Sequence, residues 1–166
     1  MIKRVFKAFQ YRDFRLMWMG ACTSSIGTWM QSLAQSWLVY QLSKNPFYSG
    51  LDAFLGQIPI MLLSLVGGVM TDRHDRRHVL LASQYIQMTC AFVLTGLVYT
   101  NVVQVWMILC ISFVVGVAQA FGGPANQALL PSLVGKEDFA NAISWNSIQF
   151  NIARTLGPMF GSWAMA

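Results

Sequence analysis

The sequence predicts an all-α integral membrane protein. Hydrophobic residues make up 55% of its 166 positions and charged residues only 10%, which is too few to cover a water-soluble domain. The stretches 16–43, 53–71 and 78–135 contain no Asp, Glu, Lys or Arg. Because about 20 apolar residues suffice for one helix to cross a bilayer, each stretch predicts one crossing or more. A soluble enzyme, a disordered tail, a secreted disulfide scaffold and a nucleic-acid-binding module are poor matches for this composition.

Turn signals divide these stretches into about five transmembrane helices. Pro46 and the polar residues before it close the first helix, since proline disfavours a continuing helix. As one helix, 78–135 would extend about 87 Å at ~1.5 Å per residue, so it must fold back, at 99–101. We expect a cytoplasmic basic segment at 1–15, then a partial transmembrane bundle at 16–166 with helices near 16–42, 47–70, 79–98, 102–129 and 139–166, the fourth interrupted at Gly122, Gly123 and Pro124. The sequence stops within an apolar helix, which indicates the N-terminal piece of a longer protein.

The basic residues predict a cytoplasmic N-terminus. Short cytoplasmic loops retain Lys and Arg, and only Lys44 lies at the opposite helix ends. The basic residues on the N-terminal side are Lys3, Arg4, Lys7, Arg12, Arg15, Arg73, Arg76, Arg77 and Lys136. Before the first helix, Ile2, Val5, Phe6 and Phe9 share one helical face, which predicts either a short interfacial helix or a frayed basic tail.

The junction of the second and third helices carries the most informative motif. Its sequence is GGVMTDRHDRR, residues 67–77. It resembles the loop signature of the major facilitator superfamily, with Asp75 standing where the general pattern has glycine. The matching positions are Gly68, Asp72, Arg73, Arg76 and Arg77. We expect Gly68 to let a neighbouring helix approach closely, and the resemblance implies that the cluster latches two halves of a transporter on the cytoplasmic side. The alternative is a solvated loop that only sets topology.

Further segments extend the resemblance along nearly the whole chain. YRDFR at 11–15, WLVY at 37–40 and NIAR at 151–154 are similar to the branch of bacterial exporters that includes enterobactin exporters. Gly157, Pro158 and Gly161 resemble the core of the superfamily's antiporter motif, a site of close helix packing and a hinge. The resemblance implies about five of the six helices of the N-terminal bundle, in a transporter that binds its substrate between two bundles.

Polar residues inside the helices are candidates for a transport cavity or for ion coupling. They are Gln31, Gln35, Asp52, Gln119, Asn126 and Arg154. Gln31 and Gln35 belong to a polar stripe on the first helix, which either lines a cavity or holds helices together by hydrogen bonds. Asp52 is either a proton-responsive carboxylate or, the favoured interpretation, a surface residue that reaches the headgroups. A cation at Arg154 needs a partner or a wet cavity, and we consider Asp52 as that partner.

No cofactor, metal or nucleic acid is expected. His74 and His78 are four apart, but neighbouring arginines repel a cation and no third ligand is apparent. No convergent set of residues indicates an enzyme. The resemblance implies a multi-pass protein of the bacterial inner membrane that exports a small molecule, a siderophore or a drug-like compound, by alternating access. The partners that it implies are lipid, protons and a missing C-terminal bundle. The alternative is a structural membrane protein or assembly fragment that does not transport.

Overall fold

The computed structural model describes residues 7–165, without the side chains of Asp72, Ala164 and Met165. Its long helices are α1 (Arg12–Ser43), α2 (Pro46–Arg73), α3 (Arg76–Tyr99), α4 (Val105–Leu133) and α5 (Phe139–Met165). Short 3₁₀ helices at Lys7–Gln10 and Lys136–Asp138 precede α1 and α5, and the described residues include no strand. The prediction of an all-α protein with about five long helices is confirmed.

Local signals in the sequence explain where the first helices end. Lys44 adopts a left-handed φ of 52° just after α1. The side chain of Asn45 accepts a hydrogen bond of 3.0 Å from the backbone N–H of Phe47 and caps α2. Pro46 occupies the first turn of α2, where its missing N–H has no helical partner to lose. Asn101, with a φ of 55°, makes the turn between α3 and α4.

The fourth helix differs from its prediction. It runs without interruption through 122–124 and ends at Leu133, so the predicted break is wrong. Pro124 cannot donate a helical hydrogen bond to the carbonyl of Ala120. That carbonyl lies against Gly67 of α2, so closely that a Cβ at Gly67 would overlap its oxygen. Contacts with neighbouring helices can compensate for a proline inside a membrane helix.

Three helices are long and apolar enough to cross a membrane. The qualifying segments are Pro46–Thr71, Arg76–Tyr99 and Val105–Leu133. Large apolar side chains on them are widely exposed, including Leu65 at 80% and Phe92 at 70%. Such a surface is unfavourable in water but matches lipid. The protein is therefore a multi-pass membrane protein. The 32-residue α1 and the 27-residue α5 are long enough to cross, but they carry more polar side chains.

The chain divides into two compact units. Unit 1 contains the described part of 1–34 and 129–166, and unit 2 contains 35–128. In unit 2, small residues bring helices together. A Cβ added at Gly116 of α4 would lie 2.5 Å from the carbonyl oxygen of Gly56 on α2. Ser83 of α3 donates a hydrogen bond of 2.8 Å to the carbonyl of Ala118 on α4.

In unit 1, the N-terminal 3₁₀ helix packs on α5. The N–H of Ala8 donates to Asn141 Oδ1 at 3.0 Å, and Lys7 Nζ lies 3.5 Å from a carboxylate oxygen of Asp138. Phe9 contacts the ring of Trp145 edge-on, with ring centroids 4.8 Å apart. From Lys7 onward the segment is therefore a packed part of unit 1 and not a frayed tail. The remaining residues of the predicted interfacial face, at 2, 5 and 6, lie outside the described part of the chain.

Candidate functional site

Unit 2 contains a buried polar cluster that joins three helices. Gln35 of α1, Asp52 of α2 and Ser112 of α4 are 9%, 5% and 6% exposed. Gln35 Nε2 donates a hydrogen bond of 3.0 Å to Asp52 Oδ1. Ser112 Oγ forms close hydrogen bonds with the same carboxylate oxygen and with the Gln35 amide. We name these three residues the Asp52 cluster.

The burial of Asp52 corrects the interpretation of this residue as a surface group. It lies six residues into α2, at the start of the membrane-spanning segment. Its carboxylate points inward because α1 and α4 supply hydrogen-bond donors, whereas the α2 sequence alone does not reveal this direction. Among the described residues of unit 2, no Lys, Arg or His forms an ion pair with Asp52. Two neutral groups therefore satisfy a buried carboxyl.

Ser112 is the cluster residue that the sequence analysis missed. A lone serine in an apolar helix gives a weak signal, because it often bonds only to its own backbone. Ser112 Oγ indeed also lies 3.1 Å from the carbonyl oxygen of Ile108, four residues earlier. One pattern could have identified it: Ser112, Gln119 and Asn126 follow at intervals of seven residues and so share one side of α4.

The other polar candidates in the spans are less buried. Gln119 is exposed, while Gln31 and Asn126 are half-buried. Arg154 lies on α5 in unit 1, about 22 Å from the start of that helix at ~1.5 Å per residue. Its side chain is exposed and forms no ion pair among the described residues of unit 1. The structure thus groups only Gln35 and Asp52 of the predicted set.

Close packing marks the residues of the antiporter-like motif. A Cβ added at Gly157 of α5 would lie 2.5 Å from Trp29 Cβ and 2.9 Å from the carbonyl oxygen of Ile26, both on α1. At Gly161 the nearest atom, the carbonyl oxygen of Met30, would be 3.3 Å away. Pro158 lies between these glycines inside α5, which continues past it. This face of α5 therefore meets α1 backbone to backbone.

The loop between α2 and α3 is a two-residue turn. α2 ends at Arg73 and α3 begins at Arg76. Asp75 caps α3, because its Oδ1 accepts a hydrogen bond of 2.8 Å from the N–H of Arg77. This bond, supported by His78 beside the carboxylate, holds the pKa of Asp75 below its ordinary value of 3.8. The backbone at Asp75 is extended, with φ −64° and ψ 112°, so the position does not require glycine here.

Two neighbouring glycines before this turn have different surroundings. A Cβ at Gly67 would overlap the backbone of α4, whereas a Cβ at Gly68 would meet nothing within 4 Å. The expectation that Gly68 permits the close approach is therefore wrong, and Gly67 fills that role. Adjacent helical positions differ by about 100° in direction, so only one of the pair can face α4.

The arginines of the loop have unequal contacts. Arg76 donates a hydrogen bond of 2.9 Å from its guanidinium to the carbonyl of Ala128 near the end of α4. Arg73 and Arg77 are exposed. Asp72 lies in the last turn of α2, and its side chain is outside the part that the structure describes. The loop therefore presents positive charge at one end of α2, α3 and α4.

Comparisons with known proteins agree with these features. A family model described as transmembrane secretion effector matches residues 4–166. The Staphyloferrin A transporter of Staphylococcus aureus is 28% identical over 85% of this chain and 36% of its own length. Macrolide efflux protein A of Streptococcus pyogenes is 24% identical over 87% of this chain and 36% of its own length. The Multidrug efflux pump Tap of Mycolicibacterium fortuitum is 23% identical over 91% of this chain and 38% of its own length.

The chain thus spans little more than a third of the length of these curated relatives. No solved structure matches it significantly.

Proposed function

Because the chain belongs to the transmembrane secretion effector family of the major facilitator superfamily, we propose that it forms most of the N-terminal bundle of a bacterial exporter. The match runs from residue 4 to residue 166, and this breadth is the observation that carries the proposal. Substrate binds between this bundle and a second one, and the bundles rock to expose the site to either side of the inner membrane. The activity is transport and not an enzymatic reaction.

We propose a small organic molecule, a siderophore or a drug-like compound, as cargo, and protons as the driving ion. The names of the relatives support this range, since they include a Staphyloferrin A transporter, a macrolide efflux protein and a multidrug efflux pump. Gln31, Gln119, Asn126 and Arg154 are the cavity candidates outside the Asp52 cluster. An exposed arginine deep in α5 favours a wet cavity, because a cation facing hydrocarbon costs roughly 2.5 to 3.5 kcal/mol on insertion scales.

The loop between α2 and α3 has a gating role in this proposal. With a cytoplasmic N-terminus, the loop lies on the cytoplasmic side, and Asp72, Arg73 and Arg77 contact the second bundle when that side is closed. Arg76 has a separate role, since it already holds the end of α4 through Ala128. Gly157, Pro158 and Gly161 provide the close packing and the flexible point of α5 during rocking.

The first test is whether the reading frame continues beyond Ala166 into a second bundle with a related hydropathy pattern. A stop codon directly after Ala166 supports the alternative of a structural membrane protein. The second test is efflux by the complete protein in an exporter-deficient host, screened against siderophores and toxic compounds. Asp72→Asn is expected to lower efflux at normal membrane expression. Unchanged efflux contradicts the gating role.

Orientation has its own test. A cysteine-free variant with Ser in place of Cys22, Cys90 and Cys110 receives one new cysteine, His74→Cys or Asn45→Cys. A membrane-impermeant thiol reagent added to intact cells is expected to label the cysteine at 45 but not the one at 74. Labelling of the cysteine at 74 alone would reverse the proposed topology.

A further inference from the structure

We infer that the Asp52 cluster is the site at which this bundle binds and releases the coupling proton. The link between this proton and transport rests on the proposed function, whereas the proton site itself is inferred from burial and hydrogen bonds. Asp52 is 5% exposed and lies in a membrane-spanning segment. Gln35 and Ser112, on two other helices, both bond to its Oδ1. Among the described side chains of unit 2, no other combines an ionisable group, burial and contacts to three helices.

Two opposing energetic effects act on the ionised form of Asp52. Burying an ionised carboxyl is costly unless a cation pairs with it, and the described residues of unit 2 provide none. Hydrogen bonds from an amide and a hydroxyl offset part of that cost, because bonds to a charged acceptor are stronger than bonds to a neutral one. Burial therefore disfavours the ionised form, whereas the two hydrogen bonds favour it.

The cluster can satisfy both protonation states. With Asp52 ionised, Gln35 and Ser112 donate to Oδ1. When a proton binds to Oδ1, the new O–H donates to Ser112 Oγ, and the Ser112 hydroxyl turns to the carbonyl oxygen of Ile108, 3.1 Å away. The second N–H of Gln35 continues to donate to Ser112 Oγ. One proton enters, one hydroxyl rotates, and every donor keeps an acceptor.

Among the described side chains of unit 2, no other titratable group is hydrogen-bonded to Asp52. Tyr40 on α1, Tyr48 one turn earlier on α2 and Cys110 on α4 lie nearest along their helices, and none of them is hydrogen-bonded to Asp52 in the described structure. Lys44, beyond the end of α1, bonds to Gln41. On α3, the residues packed near this end are apolar, such as Leu94 beside Val39 and Ile108.

The position of the cluster suits a proton that enters from outside. The three residues lie about 9 to 12 Å, at ~1.5 Å per residue, from the ends of α1, α2 and α4 that meet the 44–45 and 100–104 turns. In the proposed topology these ends are external. A proton-driven exporter takes up its proton from that side, so the site is close to the source of the proton.

The test uses the complete protein in lipid nanodiscs. Infrared difference spectroscopy during a pH titration detects the carbonyl stretch of a protonated carboxyl that is shielded from water. We expect such a band in the wild type and its loss in Asp52→Asn, whereas Asp13→Asn, which changes an exposed carboxyl at the start of α1, leaves the band unchanged. Ser112→Ala removes one hydrogen-bond partner of Asp52 Oδ1 and is expected to shift the frequency of this carbonyl band.

Transport assays separate this inference from the proposed function. In proteoliposomes, Asp52→Asn is expected to abolish the dependence of efflux on a pH gradient. A wild type without the band, or a band that persists in Asp52→Asn, overturns the proton site. A band with unaltered gradient dependence in Asp52→Asn overturns its coupling role. If the Asp52-dependent band is present but the wild type exports nothing, the proton site is supported and the exporter proposal fails.

Discussion

Replacing either of two adjacent glycines on α2 with alanine should affect stability in opposite directions. At Gly68 the new methyl group meets nothing, so Gly68→Ala gains only helix propensity, about 0.5–1 kcal/mol. At Gly67 it overlaps the carbonyl oxygen of Ala120 and lies 3.1 Å from the carbonyl carbon. These are backbone atoms that cannot rotate away, and overpacking of this kind costs about 1–3 kcal/mol. The propensity gain is common to both variants, so the difference between them isolates the clash.

The free energy of unfolding of both variants is measured in one detergent by titration with a denaturing detergent, with α-helical circular dichroism as the signal. We expect Gly67→Ala to be less stable than Gly68→Ala by about 1–3 kcal/mol. Gly67→Ser serves as a second variant, since it adds a still larger side chain at the same position. If the two variants have the same free energy of unfolding, or if Gly68→Ala is less stable than Gly67→Ala, the packing of α2 on α4 described above is refuted.

Three further predictions concern helix ends and the other glycine contact. Gly157→Ala should lower the free energy of unfolding by up to about 2.5 kcal/mol, because the cost of pressing its methyl group on Trp29 exceeds the gain in helix propensity, and the same titration measures it. Asp138→Asn should raise the proteolysis rate of the N-terminal segment, since Asp138 accepts from Tyr11; an unchanged rate argues against that docking. Asp75→Asn should make the free energy of unfolding fall less on acidification. The pKa of Asp75 is lowered in the fold, so the ionised side chain stabilises the fold at pH values above its ordinary pKa of 3.8. This contribution is lost as the pH falls through the lower folded-state pKa.

Sequence patterns located the helices because their ends depend on local chemistry. A run of apolar residues, a proline at Pro46 and polar turn residues such as Asn101 act within a few positions of themselves. The interruption predicted at Pro124 failed for a tertiary reason. Its lost hydrogen bond leaves the carbonyl of Ala120 free to lie against Gly67, a residue more than fifty positions away in the chain.

The candidate site was less predictable than the helices. Gln35 and Asp52 stood out as polar residues in apolar surroundings, but nothing along either helix indicated that they meet. The third member, Ser112, has an ordinary local explanation in its bond to Ile108. Whether Gln35 meets Asp52, and whether Ser112 reaches the same carboxylate, depends on the direction in which each residue points from its helix. That direction depends on packing partners, and polarity along one helix does not determine them.

Within unit 2, α4 connects the two regions that matter most for the proposed mechanism. Ser112 reaches the Asp52 carboxyl near one end, and the carbonyl of Ala128 receives Arg76 near the other, about 24 Å away at ~1.5 Å per residue. Between them, Gly116 packs on α2 with almost no free space. A helix held this closely moves as a body, because packed interfaces shift between discrete arrangements and do not deform gradually. The hydroxyl rotation at Ser112 and the position of the cationic loop are therefore tied to one rigid element.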